Sequence, residues 1–253
     1  MSKGLGYTRA MPGLTVTSKR LVTSADDATP QIDLGTAVRL HDGRCYKYNQ
    51  FNEAVTIGDV CTILMPDVTQ SNLTSATSTS SLTVTDTGTF TAARYDNALQ
   101  EYYYATNGGT GPGQIRQIIS NTADALTIDA VYGTALSTDT DGVTFSPYRV
   151  EMTDAATEQA CGVALASQTI AYSGWVQTKG FCPLVQFAGN TNAAAAHQII
   201  IPSSAEGVAT GRTSGGVVAA ECEVGFGYGM YAYSTATSDG RGIAAMLDCR
   251  GVG

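Results

Sequence analysis

Apolar residues occupy every second position of Val218–Met230, and this run restricts the fold of the chain more than any other feature of its sequence. Side chains alternate between the two faces of a β-strand, so a period of two predicts one long strand here. The opposite face of the run carries Gly225, Gly227 and Gly229. A face without side chains predicts either the close approach of a neighbouring backbone or subunit, or a bend or bulge.

Shorter alternating segments follow one another along most of the chain, whereas helical spacing is confined to two short Ala-rich stretches, Asp154–Ala160 and Asn192–His197. The Asp-Gly signal within His41–Arg44 separates two such segments and predicts a β-hairpin. Glu101–Thr106 is followed by two further segments, at 114–119 and 125–129, and short links between them predict an antiparallel meander. The predicted fold class is all-β, with an antiparallel sandwich or barrel-like main domain.

The composition divides the chain into four parts. Residues 1–30 lack sustained periodicity and predict an extended N-terminal arm. Residues 31–66 and 150–253 carry the stronger strand patterns and are assigned to one host β domain. Between them, residues 67–149 are rich in Thr and Ser, and the alternation of Leu82 and Val84 there indicates a Thr-rich strand with one exposed face. We therefore predict that 67–149 is a small antiparallel β module inserted into the host domain.

Charge is unevenly distributed along the sequence. The net charge is −8, but four basic residues precede the first acidic residue, Asp26, so the remainder carries 10 basic and 22 acidic residues. An acidic body repels phosphate groups, which argues against nucleic acid as a partner. The basic arm is expected to dock on another subunit, and the alternative is a solvated terminus. The candidate contact residues of the arm are Lys3, Tyr7, Arg9, Lys19 and Arg20.

The sequence also indicates the compartment. It contains no apolar core of a signal peptide and no stretch as long as a membrane span, so we predict a protein made in the cytoplasm without a membrane partner. Its six cysteines are widely spaced and form no Cys-x-x-Cys pair, which argues against zinc and redox chemistry. Buried free thiols are expected in a reducing cytosol, and three disulfides are the alternative.

Residue patterns typical of enzymes are weak. The two histidines, His41 and His197, are assigned structural or solvated roles because neither lies in a catalytic motif. The loop Gly108–Gly113 lacks the Lys and Ser/Thr of a phosphate-binding loop, which makes it a hairpin loop. Asp139–Gly142 lacks the spacing and the distal Glu of a calcium loop and is expected to form an acidic turn. We therefore predict no cofactor and no metal.

One pair of carboxylates keeps an enzymatic alternative open. Glu221 and Glu223 project from the same face of the predicted long strand, about 7 Å apart from the strand rise. This separation is compatible with the paired acids of a polysaccharide depolymerase. Sugar sites usually stack aromatic rings against the substrate, however, and the apolar neighbours belong to the opposite face of the strand. We therefore predict that the protein is not an enzyme.

The segment around the only Trp of the chain has a distinctive composition. In Ala160–Ala166, Cys161, Val163 and Leu165 are predicted on one face, while Gly and Ala leave the other face bare for close backbone contact. After a turn signal at Ser173–Gly174, the next strand carries Trp175, the candidate structural anchor of a small β core.

This small-residue strand, followed by Tyr-x-Gly-Trp-Val-Gln at 172–177 and Gly180, resembles the head decoration (cement) proteins of tailed bacteriophages. The resemblance covers Gly35–Pro66 and Val150–Val185. The Gly-rich loop with Gln114–Ile119 and Leu126–Ile128 is similar to a small β module that recurs in phage structural proteins.

The resemblance implies a structural virion protein on the outer surface of the phage capsid. Such a protein would form a homotrimer, bind the major capsid protein and stabilise contacts between capsid subunits, with the host domain and arm on the shell and the inserted module facing outward. The alternative is a tail- or fibre-associated adhesin that binds a host glycan through Tyr102–Tyr104 and Thr-rich surfaces. The depolymerase is a third possibility.

Overall fold

The computed structural model describes residues 32–64, 66, 68–92, 94–95, 101–187, 199–211, 225–230 and 243–249. These residues form 16 β-strands and no helix, so the all-β prediction is confirmed. The Ala-rich stretch Asp154–Ala160 forms a turn, closed by a hydrogen bond from the Glu158 amide to the Ala155 carbonyl at 3.2 Å. The second stretch, Asn192–His197, lies outside the described residues.

The strands follow in chain order as β1 (Ala37–Arg39), β2 (Cys45–Phe51), β3 (Val60–Ile63), β4 (Val68–Gln70), β5 (Thr83–Thr85), β6 (Tyr102–Gly108), β7 (Ile115–Asn121), β8 (Ala125–Ile128), β9 (Asp141–Phe145), β10 (Arg149–Met152), β11 (Ala160–Ala164), β12 (Ser173–Val185), β13 (Ile199–Pro202), β14 (Ala209–Gly211), β15 (Gly227–Gly229) and β16 (Ile243–Asp248). They fall into two compact units. The host unit consists of the described residues up to Ile63 and from Arg149 onward, and the insert is Leu64–Tyr148.

Five strands of the host unit close into a barrel in the order β2, β10, β3, β11 and β12, with β12 pairing back to β2. The pairings within it are antiparallel except for the parallel pair of β10 and β2. All five strands contribute to one buried apolar cluster. Full burial of each large apolar side chain stabilises the fold by roughly 1.5–3 kcal/mol. Its members are Phe51, Val55, Cys61, Val150, Cys161, Ala164 and Val176.

β12 is the longest of the described strands, and its second half leaves the barrel to pair with β16. The sheet continues from β16 through β15 and β13 to β14. This extension buries a second apolar cluster that includes Val163, Phe187, Ile200, Phe226 and Leu247. β16 runs antiparallel to β12 and alternates buried with partly exposed residues from Ile243 to Leu247.

The long strand predicted at Val218–Met230 is described only at its end. Residues 225 and 226 precede β15, whose three residues are Gly227–Gly229, and residues 218–224 lie outside the described residues. A Cβ at Gly227 would lie 2.5 Å from the Met246 carbonyl oxygen. The neighbouring backbone that approaches this glycine therefore belongs to β16 of the same chain.

The alternation predicted for Ala160–Ala166 is broken by a β-bulge between Ala160 and Gly162. As a result Cys161 and Ala164 lie in the same barrel cluster, whereas Val163 packs in the second cluster. The expectation that Cys161 and Val163 share a face is therefore wrong, because the extra residue of a bulge shifts the side chains that follow it. Close backbone contact does occur at Gly162, where a Cβ would lie 2.6 Å from the Gln177 carbonyl oxygen.

The predicted hairpin at the start of the host unit is formed by β1 and β2, which pair Ala37 with Lys47 and Arg39 with Cys45. Its turn is stabilised by the Asp42 carboxylate, which accepts a hydrogen bond from the Arg44 amide at 3.1 Å. A local turn signal was sufficient to predict this pairing.

The insert is a curled antiparallel sheet in the order β4, β9, β6, β7, β8 and β5. The predicted meander is confirmed by β6, β7 and β8. One apolar cluster fills the insert, and its buried side chains are Leu73, Val84, Phe90, Tyr95, Tyr102, Tyr104, Ile118, Leu126, Ile128, Tyr132 and Leu136. The Thr-rich stretch supplies two short strands, β4 and β5, and Leu82 before β5 is 46% exposed.

The Gly-rich loop joins β6 to β7, as predicted for a hairpin loop. The Thr106 hydroxyl donates to the Gly111 carbonyl at 2.7 Å, and the Gly113 amide donates to the Thr106 carbonyl at 2.7 Å. Gly109 has a φ of +63°, and a Cβ there would lie 1.8 Å from the Asp139 carbonyl oxygen. Both backbone conformation and space therefore require glycine at this position.

Candidate functional site

The predicted contact residues of the arm, which are Lys3, Tyr7, Arg9, Lys19 and Arg20, lie outside the described residues. The same holds for Glu221 and Glu223, the pair considered for a depolymerase, and for His197. The docking of the arm and the depolymerase alternative therefore stay predictions.

Trp175 lies on β12 directly opposite Tyr48 of β2, and 8% of its surface is exposed. The two rings have centroids 5.2 Å apart and planes inclined at 60°. Such tilted aromatic pairs add about 0.5–1.5 kcal/mol to the stabilisation from area burial. This position is inside the host unit, so Trp175 has a place in packing rather than on a binding surface.

The cysteines of the described residues are free thiols, namely Cys45, Cys61, Cys161, Cys182 and Cys249. Burial raises the pKa of Cys161 to about 12 and that of Cys182 to about 11. Because the thiolate is the reactive form of cysteine, these two thiols are poor nucleophiles at neutral pH.

The acidic turn at Asp139–Gly142 uses its carboxylates to hold neighbouring loops. The Asp139 carboxylate accepts hydrogen bonds from the Thr110 amide at 3.3 Å and from the Ser137 hydroxyl, and this hydroxyl lowers the pKa of Asp139. The Asp141 carboxylate accepts from the Asn72 amide at 2.9 Å. Within the described residues, no group of three or more His, Cys, Asp or Glu side chains is arranged to hold a metal ion.

Several carboxylates gather on one side of the host unit. Burial raises the pKa of Glu53, Asp59 and Glu151, and like charges add to the effect, from Glu206 on both Glu53 and Asp59 and from Glu53 on Glu151. A raised carboxyl pKa means that ionisation costs the folded state free energy. We therefore expect ionisation of these carboxyl groups to lower the stability of the host unit.

The Tyr102–Tyr104 run, considered as a glycan-binding surface, divides between two faces of β6. Tyr102 is 2% exposed and Tyr104 is fully buried, where its hydroxyl donates to the Gln70 side-chain oxygen at 2.7 Å. Two of the three rings named in the adhesin alternative, those of Tyr102 and Tyr104, are therefore not available to a glycan at the surface. Tyr103 alone lies on the outer face, half-buried and stacked on Phe145 of β9 with ring centroids 5.6 Å apart.

A row of large apolar side chains crosses the outer face of the host extension. It consists of Phe181 on β12, Met246 on β16, Tyr228 on β15 and Ile199 on β13, and we call these four residues the outer row. Each is directly opposite the next in the strand register. Neighbouring strands lie about 4.8 Å apart, so the outer row extends over roughly 15 Å.

The outer row is open to solvent, whereas the opposite face of the same strands is core. Phe181 and Ile199 are each 44% exposed, Tyr228 is 41% exposed, and Met246 is half-buried. Met230, two residues after Tyr228, is 37% exposed. Adjacent apolar side chains on an exposed sheet face are a feature of interaction surfaces, whereas scattered ones are not.

An ion pair borders the outer row one alternating step along β12 and β16. The Lys179 ammonium lies 3.2 Å from the Asp248 carboxylate, and both side chains are well exposed. An exposed pair of this kind contributes at most about 1 kcal/mol to stability. The outer row therefore has a charged rim on this side, as the core of a protein interface often has.

Sequence reasoning did not single out Phe181, Met246 or Ile199. Tyr228 was placed by alternation on the apolar face of the predicted long strand, together with Phe226. In the structure Phe226 precedes β15 and is 1% exposed, so the two side chains are separated. One sequence signal could have indicated these residues. In each of the four strands a large apolar residue occupies a position next to a core residue, where alternation places the side chain on the outer face.

In the described residues, no helix has the length and the apolar character needed to cross a membrane. Comparisons of this chain with protein-family models, with curated proteins and with solved structures gave no match.

Proposed function

We propose that this chain is a capsid decoration protein, a structural virion protein that binds the outer surface of a phage head and stabilises contacts between major capsid proteins. The observation that carries the proposal is the outer row. Four apolar side chains from four strands stand in register on an exposed sheet face of the host unit, with a charged rim beside them. The paired strands hold these side chains in one register before binding, which reduces the ordering cost of association.

The size of the outer row determines how it can act. If an uncovered side chain of this size presents roughly 200 Å², the exposed fractions of Phe181, Tyr228 and Ile199 give on the order of 250 Å² of surface. Burying this area stabilises a complex by about 6 kcal/mol before the costs of association, which are of similar size. One outer row is therefore too small for stable attachment, and we propose a homotrimer whose three host units bind together.

Mass action then explains how the protein stabilises a capsid. A ligand that binds only the assembled shell shifts the assembly equilibrium toward that shell, and the effect is repeated at every occupied position. In this proposal the basic arm adds a second contact to the capsid. The acidic body disfavours nucleic acid as a partner.

The test is cosedimentation of the full-length protein with phage heads that lack it. Tyr228→Ser removes an apolar ring from the outer row and is expected to weaken binding at least tenfold. Ile170→Ser is the matched control, because Ile170 is 58% exposed in the same unit but lies outside the outer row, and this variant should bind normally. Deletion of residues 1–25 tests the arm separately. Equal binding by the two serine variants would contradict the role of the outer row, and failure of the unaltered protein to bind heads would refute the function.

A further inference from the structure

The outer face of the insert sheet carries an aromatic pair on its central strands. Tyr103 of β6 lies opposite Phe145 of β9 on one side and opposite Gln117 of β7 on the other. The rings of Tyr103 and Phe145 are stacked, with centroids 5.6 Å apart and planes inclined at 24°. All three side chains are partly exposed, so the face offers aromatic surface next to an amide.

One carboxylate fixes this arrangement. The hydroxyls of Tyr103 and Tyr148 both donate to the same Glu101 side-chain oxygen, each at 3.2 Å. Burial, followed by the charge of Glu101, raises the pKa of both tyrosines, that of Tyr103 to about 12. Both hydroxyls therefore stay protonated at physiological pH and keep their bonds to Glu101. The rings are held before any ligand arrives, which reduces the entropy cost of binding.

We propose that Tyr103, Phe145, Tyr148, Glu101 and Gln117 form a binding site for an uncharged saccharide. A sugar ring has an apolar face of C–H groups and a rim of hydroxyls, so it needs an aromatic surface beside hydrogen-bonding groups. Tyr103 and Phe145 provide the aromatic surface. The Glu101 carboxylate accepts hydrogen bonds, and the Gln117 amide both donates and accepts them. The site is independent of the outer row, which belongs to the host unit.

Charge and flanking residues narrow the class of saccharide. Residues 64–148 contain 8 acidic and 2 basic residues, so the insert repels sugars that carry carboxylate, sulfate or phosphate groups. On β7, Ile115 and Ile119 lie on either side of Gln117, and each is 53% exposed. These side chains fit the methyl group of an N-acetyl or a deoxy sugar. The expected ligand is therefore a neutral glycan rich in such groups.

The experiment is binding of the full-length protein to an array of neutral and acidic oligosaccharides, followed by calorimetric titration of the strongest neutral binder. Tyr103→Ala is expected to weaken that binding at least tenfold, and Tyr103→Phe, which keeps the ring, should weaken it less. The matched control is Val131→Ala, because Val131 is 41% exposed elsewhere in the insert and should not affect binding. Circular dichroism of each variant establishes that it is folded.

Three results would overturn the proposal: no binding to any neutral member of the array, preferential binding to acidic members, or unchanged affinity of a folded Tyr103→Ala. The outcome is separable from that of the proposed function. Tyr103→Ala should still cosediment with phage heads, since it leaves the outer row intact, and Tyr228→Ser should still bind the neutral oligosaccharide.

Discussion

Replacement of Trp175 by Ala should destabilise the host unit strongly. The indole is 8% exposed and pairs with Tyr48 across two barrel strands at a centroid distance of 5.2 Å. Removing a buried Trp side chain costs about 3–5 kcal/mol, of which about 0.5–1.5 kcal/mol is the aromatic pair itself. Small domains are stable by only about 5–15 kcal/mol, so the variant should lose a large part of its stability.

The assay combines urea unfolding, followed by far-ultraviolet circular dichroism, with hydrogen exchange read by mass spectrometry. Fluorescence is unsuitable because Trp175 is the only Trp. Peptides of the host unit should exchange faster in Trp175→Ala, while peptides of the insert keep their protection. Ile170→Ala, at a 58% exposed position of the same unit, is the control and should change stability by less than about 1 kcal/mol. A loss below about 1.5 kcal/mol for Trp175→Ala would refute the role of this residue as an anchor.

Three further predictions concern charge, backbone and thiol reactivity. The pKa of Glu53 is raised above its ordinary 4.5, so its contribution to stability is greatest below pH 4.5 and declines as pH rises through the folded-state pKa. Glu206→Gln removes a like charge and should reduce this decline, by less than about 1 kcal/mol because the site is partly exposed. The check is the difference in melting temperature between pH 4.5 and pH 7.5, which should be smaller in the variant than in the unaltered protein. Gly109→Ala should lower the free energy of urea unfolding by at least about 2 kcal/mol, because φ is +63° and a Cβ would meet a backbone carbonyl. Gly113→Ala, where φ is +81° but the space is open, should lower it by about 1 kcal/mol. Equal losses in the two variants would contradict the steric argument. Cys161 should resist iodoacetamide at pH 8 in the folded protein and react in urea, as measured by peptide mass spectrometry, since its pKa is about 12; rapid alkylation of the native thiol would contradict this.

Local sequence signals predicted the parts of the fold that depend on neighbouring segments. The hairpin of β1 and β2 follows from an Asp-Gly turn, and the meander of β6 to β8 follows from short links between alternating runs. Barrel closure could not be predicted in this way. It depends on β2 pairing with β10 and β12, which lie about a hundred residues further along the chain, and no local pattern specifies which distant strands meet.

The candidate sites differ in how far sequence could indicate them. Strict alternation in β6 places Tyr103 on the opposite face from Tyr102 and Tyr104, so one exposed ring could have been derived from the period of two. For the outer row, sequence could indicate the individual apolar residues beside core positions but not that they form a row, because they come from four separate segments and become neighbours only through the register of their strands. At β11, a bulge displaced the side chains by a step that composition does not reveal.

β12 takes part in both the barrel and the sheet extension, and this affects how cooperatively the host unit unfolds. Its first half closes the barrel against β2, and its second half carries the sheet extension through β16. Because β12 belongs to both parts, unfolding of the extension should also disrupt the barrel. We therefore expect the two apolar clusters to unfold together as one cooperative unit. Amides at the centre of β12 should accordingly be among the last in this unit to exchange with deuterium.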